Sequence, residues 1–221
     1  AFDIVQSYEK AKEYLAKYRY EFSVVSRSLP DASHGEIIAL LNKHNVAPIV
    51  YTTTIDEDFI ESFESANIVE YILRHRYDNV KYVFSRLNQL KNNKQKTILV
   101  VHKSEIYRRY LKQNLALHNF KVIMVESAYE ALQKLEVHQD IVLMIVNKEL
   151  SQVNGLDELN GLGLVRRVRE MKREHLKIIA LADESNSYET SFFLNEGADD
   201  YLINQYSRDE FYVRIYQNLK S

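Results

Sequence analysis

A chain of 221 residues suits one large domain or two small ones, each long enough to bury a core. With 29 basic and 31 acidic residues the formal charge is −2, which gives no electrostatic footing for nucleic acid or an anionic membrane surface. There is no cysteine, which rules out disulfides, thiolate metal sites and cysteine nucleophiles and fits a cytoplasmic location; no apolar run approaches the ~20 residues that span a bilayer, and no secretory leader pattern is visible.

Glycine (5) and proline (2) are scarce, so long regular elements are expected. Phe2–Val5 has the apolar content of a short strand. Ser7–Tyr18 reads as a helix, with Ser7 as N-cap and Ala11, Tyr14, Leu15 and Tyr18 on one face. Phe22–Val25 is a strand, His34–Asn45 a helix with Ile37, Ile38, Leu40 and Leu41 inward, and Pro48–Tyr51 a strand. Asp56–Ala66 follows as a helix, Val69–Leu73 as a strand and Tyr77–Lys91 as a helix. The polar run Lys91-Asn92-Asn93-Lys94-Gln95-Lys96 has no apolar anchor. It predicts a linker at 92–96 between a domain at 1–91 and a domain at 97–221.

The second half alternates more plainly. Strands are expected at Ile98–Val101, Lys121–Val125, Ile141–Val146, Lys177–Leu181 and Tyr201–Ile203. Helices are expected at Ser104–His118, Ala128–Val137, Leu162–Arg173, Tyr188–Glu196 and Arg208–Leu219. The nearly unbroken apolar run at Ile141–Val146 suits a parallel strand buried on both faces. Five βα units predict an α/β fold with a parallel sheet covered by helices; a (β/α)8 barrel would need eight.

A weak internal repeat links the halves. Ser26-Arg27-Ser28-Leu29-Pro30 with Gly35 parallels Asn147-Lys148-Glu149-Leu150-Ser151 with Gly155. Glu70-Tyr71-Ile72-Leu73-Arg74 parallels Asp200-Tyr201-Leu202-Ile203-Asn204. These segments, and above all Gly197-Ala198-Asp199-Asp200-Tyr201-Leu202, resemble response-regulator receiver domains of the chemotaxis-protein type. The resemblance implies two flavodoxin-like (βα)5 domains with strand order 2-1-3-4-5. The first half resembles the family only from its second strand onward. Its N-terminal βα unit has no counterpart, so a segment preceding Ala1 is expected.

The family's chemistry needs an acceptor aspartate as nucleophile, an acidic pair to hold Mg²⁺, and a hydroxyl and a lysine for the phosphoryl oxygens. In the second half the resemblance places His102 and Lys103 at the acidic pair, Asn147 at the acceptor, Ala182 at the hydroxyl and Asn204 at the lysine. In the first half it places Ser26 at the acceptor, Thr53 at the hydroxyl and Arg74 at the lysine. Tyr71 and Tyr201 fall where the family carries a switch aromatic. Asp140 and Asp183 lie out of register with the strand ends, and Asp31 lies in a loop. An amide is no nucleophile at neutral pH, and an ammonium repels Mg²⁺; Lys103 is expected either to occupy the metal's place and bond Asn147 or to point to solvent.

Other tempting features have plainer explanations. The seven histidines show no metal-ligand spacing, Arg166-Arg167-Val168-Arg169 is interleaved with apolar residues, and Gly155–Gly161 contains carboxylates that would repel phosphate. The expectation is a tandem, non-phosphorylatable receiver module, not an enzyme, with no cofactor or metal. Its partners would be a kinase and a C-terminal output domain such as a diguanylate cyclase. A homodimer, or a tight interdomain contact, is expected through part of the face bearing Tyr188, Phe192, Tyr201, Phe211, Tyr212 and Tyr216. Two alternatives are a stand-alone adaptor that occupies a kinase or phosphotransferase, and a small-ligand-binding or enzymatic domain on the same scaffold.

Overall fold

The computed structural model describes residues 2–53, 66–74, 79–152, 159–173, 175–182, 187–203 and 205–220. The chain divides into two compact units, Ala1–Lys91 and Asn92–Ser221.

The first unit contains helix α1 (Tyr8–Lys17), strand β1 (Phe22–Val25), helix α2 (Glu36–Lys43), strands β2 (Ala47–Thr52) and β3 (Glu70–Leu73), and most of helix α3 (Asn79–Asn93). The expected helix at 56–66 and the first residues of the expected helix at 77–91 fall outside the described residues. Ser7 caps α1 by accepting the Lys10 N–H, which satisfies one of the orphan donors of a helix start. Strands β1, β2 and β3 form a parallel sheet in that order. Ala11 and Leu15 of α1, Ile37, Ile38, Leu40 and Leu41 of α2, and Val50 of β2 share one core, as the apolar spacing required.

Phe2–Val5 is not a strand. Phe2 is 75% and Ile4 80% exposed. In a receiver-like sheet the second strand pairs only with the first, and the first has no counterpart in this chain. Apolar content alone cannot hold a strand that lacks a hydrogen-bonding neighbour.

The second unit is a complete five-unit alternation. It runs β4 (Thr97–Val101), α4 (Glu105–Leu117), β5 (Lys121–Val125), α5 (Ala128–Val137), β6 (Ile141–Asn147), α6 (Gly161–Glu170), β7 (Lys177–Ala182), α7 (Ser187–Asn195), β8 (Asp200–Ile203) and α8 (Arg208–Asn218). All pairings are parallel, in the order β5-β4-β6-β7-β8. This is the 2-1-3-4-5 arrangement. The strands alternate strictly. Leu99, Val101, Met144, Val146, Ile178 and Ala180 pack with α5, α6 and Phe193 of α7, whereas Ile98, Val100, Leu143, Ile145, Ile179 and Leu181 pack with α4 and α8. Each of these Val, Leu, Ile and Met side chains contributes about 1.5–3 kcal/mol on burial, so two filled faces fix the register of every central strand.

Helix α3 carries on to Asn93, within the segment read as linker. The Asn93 amide is buried and donates to the His118 carbonyl and to Tyr216 Oη. The Gly-Ala-Asp-Asp-Tyr-Leu run owes its composition to packing. Gly197 sits at φ +108° against Arg169, which donates to the Gly197 carbonyl and to Asp199. Asp200 takes bonds from Arg214 and Asn218, tying β8 to α8.

Candidate functional site

In doubly wound sheets, ligands and chemistry gather at the carboxyl ends of the strands. In the second unit that rim is set by the residues after β4 and at the end of β6. His102 donates its N–H to the Val125 carbonyl, and its Nδ1 accepts from the Ser104 N–H at 2.9 Å. Its ring stacks on Tyr107 with centroids 4.5 Å apart. Arg108 holds the loop by donating to the carbonyls of His102 and Lys103. Asn147 ends β6 and is buried; its Oδ1 accepts the Glu149 N–H at 2.9 Å.

Lys103 does not bond Asn147 as expected. Its ammonium pairs with the Glu149 carboxylate across the rim. The reason is electrostatic: an exposed cation gains more from an ionised carboxylate than from a neutral amide whose oxygen is already engaged. Lys103 in turn holds the Glu149 carboxyl below its ordinary range. Ala182 presents only a buried methyl group at the end of β7. Asn204 and Asp183 lie outside the described residues. Asp140 accepts from the Thr97 hydroxyl at the opposite, amino end of the strands, so it cannot reach the rim.

The pairing of Tyr107 with Tyr206 was not singled out from sequence. Tyr206 Oη lies 2.6 Å from Tyr107 Oη, and its ring stacks on Phe211. His102, Tyr107, Tyr206 and Phe211 therefore form a continuous aromatic wall beside the rim. Burial, followed by the bond to Tyr107, pushes the Tyr206 phenol up. Four residues, from the loops after β4 and β8 and from α4 and α8, meet here, a grouping with no signature in linear spacing.

Gly161 opens the helix after β6. A Cβ there would lie 2.1 Å from the Asn147 carbonyl oxygen, so this approach requires glycine. Gly155, paired with Gly35 in the sequence repeat, falls outside the described residues. The arginine run is tied to its own unit. Arg166 makes a two-pronged bond to Glu196, and Arg167 pairs with Glu170.

In the first unit the strand ends bring together the three residues expected there. Ser26, Thr53 and Arg74 line one crevice of about 170 Å³ with Arg27, Ser28, Ser33 and Thr52. The Arg74 N–H donates to the Thr52 carbonyl, and its guanidinium lies 4.9 Å from the centre of the Tyr51 ring. Ser28 Oγ donates to the Ser33 carbonyl, and Leu29 and Ala32 exchange backbone bonds, so the loop is folded on itself. Asp31 is consumed elsewhere: its carboxylate accepts the N–H groups of Tyr8 and Glu9, which lower its pKa. Tyr71 is partly buried against the first core and Tyr201 against the core of the second unit. Tyr201 also lies under Arg214.

The family implies Mg²⁺ at this rim. Among the described residues no three His, Cys, Asp or Glu side chains converge to hold a metal. The second unit offers an amide, an imidazole, an ammonium and a carboxylate already paired with that ammonium; the first offers two guanidiniums. Neither set of described residues suits a cation that requires carboxylate oxygens.

A parallel 2-1-3-4-5 sheet with this rim defines a receiver-type signalling domain, and the comparisons agree. The response regulator receiver domain family matches residues 98–216, more than half of the chain, and the chain belongs to that family. It is 29% identical over 112 residues to chemotaxis protein CheY1 of Helicobacter pylori, covering 50% of this chain and 86% of that protein. It is 28% identical over 119 residues to response regulator ArlR of Staphylococcus haemolyticus, covering 53% of this chain and 50% of ArlR. The chain thus spans half the length of ArlR. Two solved two-component system response regulator/GGDEF domain proteins match nearly end to end. One has a TM-score of 0.82 at 27% identity, covering 99% of this chain and 86% of that one. The other has a TM-score of 0.80 at 26% identity, covering 97% and 85%. Among the described residues no helix is long and apolar enough to cross a membrane.

Proposed function

We propose that this chain is the regulatory part of a cytoplasmic two-component response regulator whose tandem receiver-like units, 1–91 and 97–221, accept no phosphoryl group and act through protein contacts. A C-terminal output domain, such as a diguanylate cyclase, is the element they control. The observation that carries this is the state of the two acceptor positions. Asn147 is a carboxamide held by the Glu149 N–H, and Ser26 is a hydroxyl beside two arginines. Among the described residues neither rim supplies, at these acceptor positions, the carboxylate nucleophile or the metal ligands that acyl phosphate formation needs. The likeness to two response regulator/GGDEF proteins supports the choice of output domain. The module signals as a homodimer, pairing through exposed residues of α7 and its neighbours.

The test is intact mass after incubation with a small phosphodonor and Mg²⁺. No stoichiometric adduct is expected on the full chain. A base-labile, acid-stable gain of one phosphoryl group would overturn the proposal.

A further inference from the structure

We propose that the side of the first unit bounded by the free edge of β1 and by α3 docks one strand-and-helix segment, supplied by the same polypeptide ahead of Ala1. Its strand lies parallel to β1, and its helix packs its apolar stripe on α3. Two matches set the units in register. Glu70 of β3 pairs with Arg86 of α3 as Asp200 of β8 pairs with Arg214 of α8. Ser26 follows β1 where Asn147 ends β6. Phe84, two residues before Arg86, therefore corresponds to Tyr212, and Val24 corresponds to Ile145.

The corresponding residues differ in cover. Val24 is 44% and Phe84 55% exposed, and Val80, one turn before Phe84, is exposed as well, whereas Ile145 and Tyr212 are buried. In the second unit β4 and α4 bury them. Ile145 lies beside Val100 of β4. Tyr212 stacks on the His118 ring with centroids 3.6 Å apart and donates to the Asn114 carbonyl. Leu111 and Leu115 of α4 complete that core. Among the described residues β1 pairs only with β2, so its other edge carries backbone donors and acceptors with no strand beside them. Sheet edges that face solvent are commonly blunted by lysine, proline or a bulge. Phe22-Ser23-Val24-Val25 has neither residue, and its register with β2 is unbroken.

The second unit also specifies the occupant's chemistry. A strand with branched apolar residues at alternate positions, as at Ile98 and Val100, pairs with the edge; a helix with leucines four apart, as at Leu111 and Leu115, covers Phe84 and Val80. A strand alone would leave α3 bare, and a helix alone would leave the edge unpaired. Placement in the same chain follows from size. The surface is one four-residue strand edge and one helix stripe, too little for firm capture from solution, whereas a short tether raises the effective concentration to about the millimolar range. Phe2 and Ile4, apolar yet exposed, lie in the stretch that would join the segment to the unit. Whether either acceptor position takes a phosphoryl group does not bear on this docking.

A synthetic peptide of residues 97–118, which carries β4 and α4, serves as the probe for the full 221-residue chain. Saturable one-to-one binding at or below about 100 μM is expected by calorimetry, together with slower amide exchange at Phe22–Val25. Val24→Lys and Phe84→Asp, both changes at exposed positions, should each weaken binding at least about tenfold. Ile106→Asp, at an exposed position of the second unit, should leave it unchanged. A peptide carrying Leu111→Asp and Leu115→Asp should not bind. The intact protein, with the residues ahead of Ala1, should protect the Phe22–Val25 amides unaided and refuse the peptide. Absence of saturable binding, binding without protection at Phe22–Val25, or equal affinity in the Val24→Lys and Phe84→Asp variants overturns the proposal. So does an intact protein that takes the peptide as readily as the 221-residue chain. Protection of Phe22–Val25 that rises with chain concentration in the absence of peptide would give the edge to a second copy and overturn it too. A covalent phosphoryl adduct on either unit would leave all these results standing and overturn only the proposed function.

Discussion

At the carboxyl ends of its strands the second unit sets one ammonium against one carboxylate, while the first unit has a polar crevice edged by two arginines. The scaffolds are alike: parallel strands, with loops leaving them at the same rim. What differs is how few side chains set the sign of the charge. In the second unit one ammonium is matched by one carboxylate, and an aromatic wall of His102, Tyr107 and Tyr206 stands beside them. In the first unit Arg27 and Arg74 share a crevice with no acid among its described lining residues. A phosphoryl-transfer rim needs clustered carboxylates; among the described residues the second unit's rim sets one ammonium against one carboxylate, and the first unit's crevice is lined by two arginines and five hydroxyl residues.

The sharpest way to break this comparison is through the glycines that open the helix after each rim. Gly161→Ala places a Cβ against the Asn147 carbonyl, where only backbone movement gives relief. A loss of about 3 kcal/mol is expected. Gly35→Ala meets nothing closer than 3.9 Å, and its cost is that of φ +87°, about 1 kcal/mol. Hydrogen exchange resolved along the chain would read each unit separately; equal losses would remove the contrast between the two rims.

Association comes next in size. On α7 of the second unit, Tyr188 is 74% and Phe192 56% exposed, whereas Phe211, Tyr212 and Tyr216 of α8 are buried and belong to the core. Of the face expected to pair, the α7 end is therefore the available part. Phe192→Asp should weaken the dimer at least about tenfold, or 1.4 kcal/mol, as read by sedimentation equilibrium. A wild-type chain that stays monomeric at high concentration would remove the homodimer from the proposal.

Alkaline pH should separate the units less dramatically. Burial first, then the bond to Tyr107, raises the Tyr206 phenol, and burial also raises Tyr212. The folded state holds these protons more tightly than the unfolded chain, whose tyrosines ionise near pH ~10. Their stabilisation is thus fully present below that pH and is lost as pH rises above it. In the first unit Tyr20 is pushed up to about 12 by its bond to Asp3, but it lies at the surface. The second unit should therefore lose exchange protection more steeply above pH ~10. Tyr206→Phe should flatten that slope, and an unchanged slope would count against the assignment.

The smallest effect is expected at Lys103. Its pair with Glu149 is solvent-exposed on both sides, and exposed pairs contribute little. Lys103→Ala should move Tm by no more than about one degree. A larger shift in differential scanning calorimetry would mean that the rim is held by this pair rather than by the aromatic wall.

Much of this molecule follows from local sequence. Period-two and helical spacing of apolar residues determined the five βα units of the second half, because a strand buried on both faces and a helix with one apolar stripe each have a single stable way to pack. Ser7 as N-cap was legible for the same local reasons, whereas Ser26, Thr53 and Arg74 were placed at the strand ends by the resemblance to receiver domains. Other features were decided only in three dimensions. Phe2–Val5 has strand composition, yet a strand exists only with a hydrogen-bonding neighbour. Lys103 chose Glu149 over Asn147 because the loop after β6 brings a carboxylate within reach of the loop after β4. Asn93 sits in a run with the composition of a linker, but its amide finds buried partners on α8 and at the end of α4. Tyr107 and Tyr206 meet although 99 residues apart in the chain. Periodicity records how each element meets its core; the pairing of side chains across loops depends on where the finished sheet places its strand ends.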